Sequence, residues 1–257
     1  MRTANSGHLR SIVTGLILIG LAAQTALAEE KPAAGPFQDS ECMSCHSERD
    51  PELVAQLRAG PHAERSGVVC SSCHADRHEG VNATARQDVR CTQCHDGPAS
   101  QSYASSKHGV INRLDEQEQV WRQPLQRGNY RAPSCSYCHL HDGDHSDTMS
   151  PGRGPELGQW ICSGCHSPRY IAEQFASGRR QLSIADLKLA EGEDLIALAV
   201  NVPSDLLEKL KKSLLIHRKN VLYGVGHQSP DYQWWLGQPA LDGDLIRIRE
   251  AISKKPW

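Results

Sequence analysis

All ten cysteines of this chain lie in Cys-x-x-Cys-His motifs, and the motif occurs five times. This order of residues is the attachment signature of c-type haem: the two thiols form thioethers to the haem edge, and the histidine binds the iron from the proximal side. The motif cysteines are Cys42 and Cys45, Cys70 and Cys73, Cys91 and Cys94, Cys135 and Cys138, and Cys162 and Cys165, followed by the proximal ligands His46, His74, His95, His139 and His166.

Cys-x-x-Cys pairs also build zinc sites and thioredoxin-like redox sites. Neither of those sites requires a histidine directly after the second cysteine, whereas every pair has one here. No cysteine is left for a disulfide or a catalytic thiol. The sequence therefore predicts five covalently attached haem c groups as cofactors.

The N-terminus has the pattern of a secretory signal peptide. Arg2 and Arg10 precede an apolar run from 12 to 23, and an Ala-x-Ala sequence ends at Ala28. The alternative is an uncleaved membrane anchor, but the run is shorter than the ~20 residues that a membrane span needs. We expect cleavage near Ala28 and a periplasmic or otherwise exported protein, with no stable membrane insertion after cleavage.

Charge limits the class of partner. The chain has 28 Lys+Arg and 30 Asp+Glu; removal of the two signal-peptide arginines gives a mature formal charge of 26 − 30 = −4. Haem propionates add further negative charge. Binding to nucleic acid needs a basic surface, so we expect none. An acidic surface favours redox partner proteins of a respiratory chain that present basic docking patches; oligomeric state is left open.

Composition divides the chain into a signal peptide at 1–28, a flexible lead at 29–38, a pentahaem cytochrome c domain at 39–169 and a C-terminal helical subdomain at 170–257. The chain contains only two Phe, which indicates that porphyrins supply much of the apolar core. The expected fold class is mainly α: a haem-packed multihaem cytochrome c core with little regular secondary structure, followed by the helical subdomain.

Several helices are expected from their patterns. Residues 51–58 form one helix with Pro51 in its first turn, and residues 146–158 form a loop that is rich in Pro and Gly. Residues 182–200 are expected to be helical, although Gly192 weakens the middle. Ser204 is expected to cap a further helix, in which Leu206, Leu207, Leu210, Leu214 and Leu215 fall at helical spacing. Leu241, Leu245, Ile248 and Ile252 repeat in the same way; we interpret both sets as core or interface packing.

Histidine is the default ligand on the distal side of the irons. Methionine, the other common axial ligand, is represented after the signal peptide by Met43 and Met149 alone, and Met43 lies inside the first motif. Seven further histidines remain for five distal positions, and bis-histidine ligation implies lower potentials than histidine–methionine ligation. These candidates are His62, His78, His108, His141, His145, His217 and His227.

The surroundings of the motifs resemble the hydroxylamine oxidoreductase-like multihaem cytochromes, which include octahaem nitrite and tetrathionate reductases. The segments ECMSCH, GPHAERSGVVCSSCH, DVRCTQCH and SSKHG resemble the first three haem sites of that family. The segments YRAPSCSYCHLHDGDHSD and ICSGCHSPRY resemble the last two haem sites, and GVGHQSPDYQWW resembles a late His-x-P-x-Tyr element. The resemblance implies distal ligands at His62, His108, His145 and His227, with His78 completing the set; His141 and His217 remain as spares.

The chain departs from those enzymes in having five motifs instead of eight and no Cys-x-x-Cys-Lys. Because there are enough histidines for every iron, electron transfer in anaerobic respiration is the favoured function. The alternative is an oxidoreductase of nitrogen or sulfur oxyanions, such as nitrite, hydroxylamine or tetrathionate, working at a haem with an open distal site. A third hypothesis is a subunit of a larger multihaem assembly.

Overall fold

The computed structural model describes residues 39–63, 67–123, 131–146 and 160–253. The described part belongs to one compact unit, Ala33–Trp257. The expected signal peptide and flexible lead lie outside the described residues, as do Met149 and nearly all of the expected loop at 146–158. The expected division at 169/170 stays a prediction.

Every regular element among the described residues is helical, which confirms the mainly α fold. Among its described residues, the haem-motif region has a 3-10 helix at His141–Gly143 and eight short α-helices: α1 (Asp39–Arg49), α2 (Pro51–Ala59), α3 (Cys70–Cys73), α4 (Val81–Ala85), α5 (Asp88–Thr92), α6 (Pro98–Ala104), α7 (Lys107–Asp115) and α8 (Cys135–His139). Long helices follow: α9 (Pro168–Ala197) and α10 (Ser204–His227), then the short α11 (Pro230–Gln233), then α12 (Gln238–Ser253).

Helix α2 begins where the sequence predicts. The Asp50 side chain accepts a hydrogen bond from the backbone N–H of Leu53 at 3.1 Å, and Pro51 occupies the first turn. Both features satisfy or remove a backbone N–H that has no partner within the helix. Helix α9 begins in the same way, with Ser167 as its cap and Pro168 in its first turn.

The start of α10 corrects one prediction. Ser204 is the first residue of the helix instead of its cap, and the cap position is Pro203, whose side chain cannot accept a hydrogen bond. Proline before the helix fixes the entering backbone in an extended conformation. Ser204 therefore contributes no capping oxygen.

Helices α9, α10 and α12 form a three-helix bundle around buried apolar side chains. Leu214 and Leu241 are 0% exposed and pack in this core with Ile248 and Val221. The apolar pattern of α12, from Leu241 to Ile252, thus packs in the core, as predicted. The leucine pattern of α10 is only partly core: Leu210 and Leu214 are buried, whereas Leu206 and Leu215 are exposed at 38% and 46%.

Helix α6 connects the two parts of the fold. It packs against α10 near the end of that helix, and two side-chain bonds fix the contact. The Tyr232 hydroxyl donates to Gln101 Oε1 at 3.0 Å, and the Ser105 and Ser229 hydroxyls are 2.9 Å apart. This contact brings His227 to the haem-motif region.

Candidate haem-binding sites

The motif residues lie on single helical turns. In the second, third and fifth motifs the histidine N–H donates to the carbonyl of the first cysteine at 2.9 Å, which closes an α-helical turn. The first and fourth motifs lie within α1 and α8. Residues i, i+3 and i+4 of a helix share one face, so both thiols and the imidazole of a motif are presented together.

Each proximal histidine has a second imidazole opposite it. The ring centroids of the five pairs are 6.0–6.3 Å apart. The pairs are His46 with His78, His74 with His145, His95 with His62, His166 with His108, and His139 with His227.

This spacing matches one metal ion between two imidazoles. With metal–nitrogen bonds of about 2 Å, as for imidazole on zinc, and each nitrogen about 1 Å from its ring centre, the centroids are about 6 Å apart. Aromatic rings in direct contact have centroids about 4.5–7 Å apart, so the distinguishing observation is that every proximal histidine has such a partner at the same 6.0–6.3 Å. The donor set therefore fits the iron of haem c, with the thiols of each motif free for attachment.

The other two histidines are placed differently. His141 donates from Nδ1 to the Tyr137 carbonyl at 3.1 Å, and its ring packs edge-on against the Tyr137 ring. His217 lies in the helical bundle, where its Nδ1 bonds Asp244 at 2.6 Å. Neither ring is paired with a proximal histidine in the described structure.

Burial favours the neutral form of several paired histidines. Desolvation lowers the pKa of His62, His74 and His108. Burial, and secondarily the nearby His139, lowers the pKa of His227 to about 4. A neutral imidazole is the form that binds a metal ion, so these side chains are ready for ligation at neutral pH.

Close backbone packing positions the second pair. Gly60 ends α2, and a Cβ atom at this residue would lie 2.0 Å from the His145 carbonyl oxygen. Gln56 supports the same contact by accepting a hydrogen bond from the His145 N–H at 3.4 Å. The segment after the fourth motif thereby reaches the second motif, which the linear sequence does not indicate.

Carboxylates join successive motifs. Asp39 accepts hydrogen bonds at 2.8 Å from both the N–H and the hydroxyl of Ser71, which connects the first motif with the second. Asp88 accepts a bond from the Cys135 N–H at 2.7 Å and connects the third motif with the fourth. Sequence analysis missed both residues, since an aspartate three residues before a cysteine has no distinctive signal.

Comparison with known proteins agrees with this chemistry. The family described as seven times multi-haem cytochrome CxxCH matches residues 49–151, and the family described as cytochrome c554 and c-prime matches residues 20–75. Neither match spans the fifth motif.

Two curated relatives are similar over part of the chain. A probable nitrite reductase–hydroxylamine oxidoreductase fusion protein of Kuenenia stuttgartiensis is 35% identical, covering 45% of this chain and 18% of that protein. The multiheme cytochrome MtrA of Shewanella baltica (strain OS185) is 26% identical, covering 59% of this chain and 37% of that protein. The chain thus spans well under half the length of these relatives.

Solved structures share the fold. A reducing HAO-like protein complex of Kuenenia stuttgartiensis matches with a TM-score of 0.54 and 16% identity, over 84% of this chain and 87% of that one. A hypothetical multiheme protein matches with a TM-score of 0.54 and 17% identity, over 70% and 57% of the two chains.

Motifs, fold and matches together define a multihaem c-type cytochrome that binds haem covalently through CxxCH motifs. Within this class the chain is similar, over part of its length, to a probable nitrite reductase–hydroxylamine oxidoreductase fusion protein, and it shares the fold of a HAO-like complex. Within the described residues, no helix combines the length and the apolar character that crossing a membrane requires.

Proposed function

We propose that this protein is an exported electron carrier with five covalent haem c groups, each iron held between two histidines. The observation that carries the proposal is the set of five imidazole pairs at 6.0–6.3 Å, one for every motif. His78, His145, His62, His227 and His108 are then the distal ligands of the five irons in motif order.

A bound haem iron supplies reversible one-electron exchange between its ferric and ferrous states. The protein's residues hold that chemistry in place. The motif thiols would attach each porphyrin, and the two imidazoles of each pair would both bind its iron. An iron held in this way would leave no position for a substrate, which favours a carrier over the oxyanion-reducing alternative.

The motifs are connected in chain order. Asp39 beside the first motif accepts two hydrogen bonds from Ser71 of the second, and helices α3 and α5, which carry the second and third motifs, pack together. Asp88 beside the third motif accepts a bond from the Cys135 N–H of the fourth. The Tyr137 hydroxyl of the fourth motif donates to the Ile161 carbonyl beside the fifth at 3.4 Å. Contacts between successive motifs support an electron path running from the first haem to the fifth.

Compartment and partners follow from the same chemistry. Ten cysteines that serve haem attachment, together with the N-terminal signal pattern, support export to the periplasm. The acidic composition favours a redox partner with a basic docking surface. The Kuenenia complex that shares the fold supports assembly with another redox protein.

Intact mass tests the haem count. Protein that is exported with the haem-attachment machinery should have the mass of the mature chain plus five haems. A mass for four or fewer haems on fully processed material would show that at least one motif is unused.

Substrate assays test the carrier role. The oxidised protein should have only low-spin ferric haem, and the reduced protein should not be catalytically reoxidised by nitrite, hydroxylamine, tetrathionate or sulfite. Turnover of any of these well above the rate of free haem, with a high-spin fraction that responds to the same compound, would establish the enzyme instead.

A further inference from the structure

Ser102 lies behind the His227 imidazole in the interior of the protein. Ser102 is 0% exposed and lies on α6, which is far along the chain from α10. The Ser102 hydroxyl oxygen lies 2.5 Å from His227 Nδ1 and 2.7 Å from the Ala99 carbonyl oxygen.

The direction of these two bonds follows from the donor count. A serine hydroxyl has one proton, and the Ala99 carbonyl can only accept, so the Ser102 proton is donated to Ala99. Ser102 must then accept from His227, which places the imidazole proton on Nδ1. The other ring nitrogen, Nε2, is left without a proton, as metal ligation requires.

Other ligand histidines of this protein differ in this respect. The Nδ1 atoms of His46 and His145 are buried and have no hydrogen-bond partner in the described structure. His74 Nδ1 has the backbone carbonyl of Val81 at 3.3 Å. The Nδ1 atom of His227 thus has a side-chain hydroxyl as its partner, whereas the Nδ1 atoms of His46, His74 and His145 do not.

We infer that Ser102 is a positioning residue that fixes the tautomer and orientation of His227 and lowers the reduction potential of the haem attached at Cys135 and Cys138. The inference rests on the proposed ligation of that haem by His139 and His227. Two further contacts hold the same geometry: the edge of Tyr103 packs on the His227 ring at 6.1 Å, and Ser105 bonds Ser229 beyond it.

The effect on potential has a direct physical cause. An imidazole that donates its second N–H to an acceptor becomes a more basic ligand. A more basic ligand stabilises the ferric state more than the ferrous state, so the potential falls. Removal of the acceptor should reverse this shift and leave the ligand in place.

The test compares three single variants of the full haem-loaded protein. Ser102→Ala removes the acceptor and is compatible with a helix, since alanine is the best helix former. Ser102→Thr keeps the hydroxyl. Ser100→Ala removes a hydroxyl from the same helix, one that donates to the Gly97 carbonyl at 2.9 Å and does not contact His227. Redox titration followed by optical and electron paramagnetic resonance spectroscopy reports each potential and spin state.

The inference expects Ser102→Ala to raise the potential of one haem while all haems stay low-spin. A rise of up to about tenfold in the reduced-to-oxidised ratio at fixed ambient potential corresponds to about 59 mV for a one-electron couple. Ser102→Thr should restore the parent value, and Ser100→Ala should leave it unchanged. Unchanged potentials in Ser102→Ala, or an equal rise in Ser100→Ala, would overturn the inference.

A His227→Ala variant separates this inference from the proposed function. One haem should become high-spin and bind added imidazole. If every haem of His227→Ala stays low-spin, the ligand assignment fails and the role of Ser102 fails with it. If one haem opens but Ser102→Ala has parent potentials, the ligand assignment stands and only the role of Ser102 is rejected.

Discussion

At the scale of single residues, the imidazole pairs join positions that the sequence keeps apart. His145 lies six residues after the fourth motif's histidine, yet its ring faces His74 of the second motif. His141 is nearer to the fourth motif and bonds a backbone carbonyl instead. Proximity in sequence is therefore a poor guide to which haem a histidine serves.

His108→Ala tests the pairing at one site. Loss of this imidazole leaves His166 as the single protein ligand of its iron, so one haem should become high-spin and bind cyanide. His141→Ala is the matched control, because its ring packs on Tyr137 and it should leave every haem low-spin. Low-spin spectra in both variants would contradict the pairing of His108 with His166.

The motif residues could be read from the sequence because thioether chemistry fixes their order. The resemblance implies four of the candidate distal residues and His78 completes the set; each of the five lies opposite a proximal histidine in the structure. The assignment of partners could not be predicted. It depends on long-range contacts, such as Gly60 against His145, which leave no local pattern.

At the scale of helices, Gly192 was expected to weaken its segment, but α9 continues through it. The reason is a close contact between helices. A Cβ atom at Gly192 would lie 2.5 Å from Leu214 Cδ1, and Leu214 is 0% exposed and cannot move aside. Propensity describes an isolated helix, whereas here the absence of a side chain lets α9 approach α10.

Gly192→Ala should therefore destabilise the bundle despite the better helix propensity of alanine. Overpacking costs about 1–3 kcal/mol and the gain in propensity is about 1 kcal/mol, so we expect a net loss of up to about 2 kcal/mol. Gly243→Ala on α12 is the control, since its Cβ would meet only the flexible Arg247 guanidinium at 3.4 Å. Chemical denaturation followed by circular dichroism should give a higher free energy of unfolding for Gly243→Ala than for the parent, and a lower one for Gly192→Ala. The reverse order would refute the packing argument.

Asp244 is a buried charged residue of α12 that the hydrophobic periodicity did not identify. Its side chain is 0% exposed and accepts bonds from Ser213 at 2.7 Å and His217 at 2.6 Å, while Arg247 pairs with the same carboxylate. A pattern of leucines identifies the buried face of α12, but it does not indicate which polar residue lies on that face.

Asp244→Ala should destabilise the protein by about 2–4 kcal/mol, because the partly buried Ser213 and His217 of α10 lose their acceptor. Asp242→Ala is the control: it removes a carboxylate of the same helix that pairs with Lys188 and is 55% exposed, where a pair contributes about 0–1 kcal/mol. Equal denaturation midpoints for the two variants would show that the buried Asp244 contributes no more stability than the exposed Asp242.

At the scale of the whole molecule, α6 and His227 connect the haem-motif region with the three-helix bundle. Tyr232, Ser229 and His227 all contact α6 from the end of α10 onwards. The bundle thereby supplies one proposed iron ligand to a region whose other proposed ligands come from its own short helices, turns and loops. Export and partner choice, in contrast, depend on the signal pattern and the net charge, which the fold does not determine.

The charge of the whole molecule leads to a kinetic prediction. The mature formal charge of 26 − 30 = −4, with haem propionates in addition, should steer a basic redox partner towards this protein. Salt screens such steering over ~8–10 Å at physiological ionic strength, so the rate of electron exchange with a basic partner should fall as salt rises. Stopped-flow measurement against a small basic cytochrome and, as a control, a neutral dye of similar potential should show salt dependence for the cytochrome alone. A rate with the basic cytochrome that is flat or rises with salt would contradict an acidic docking surface.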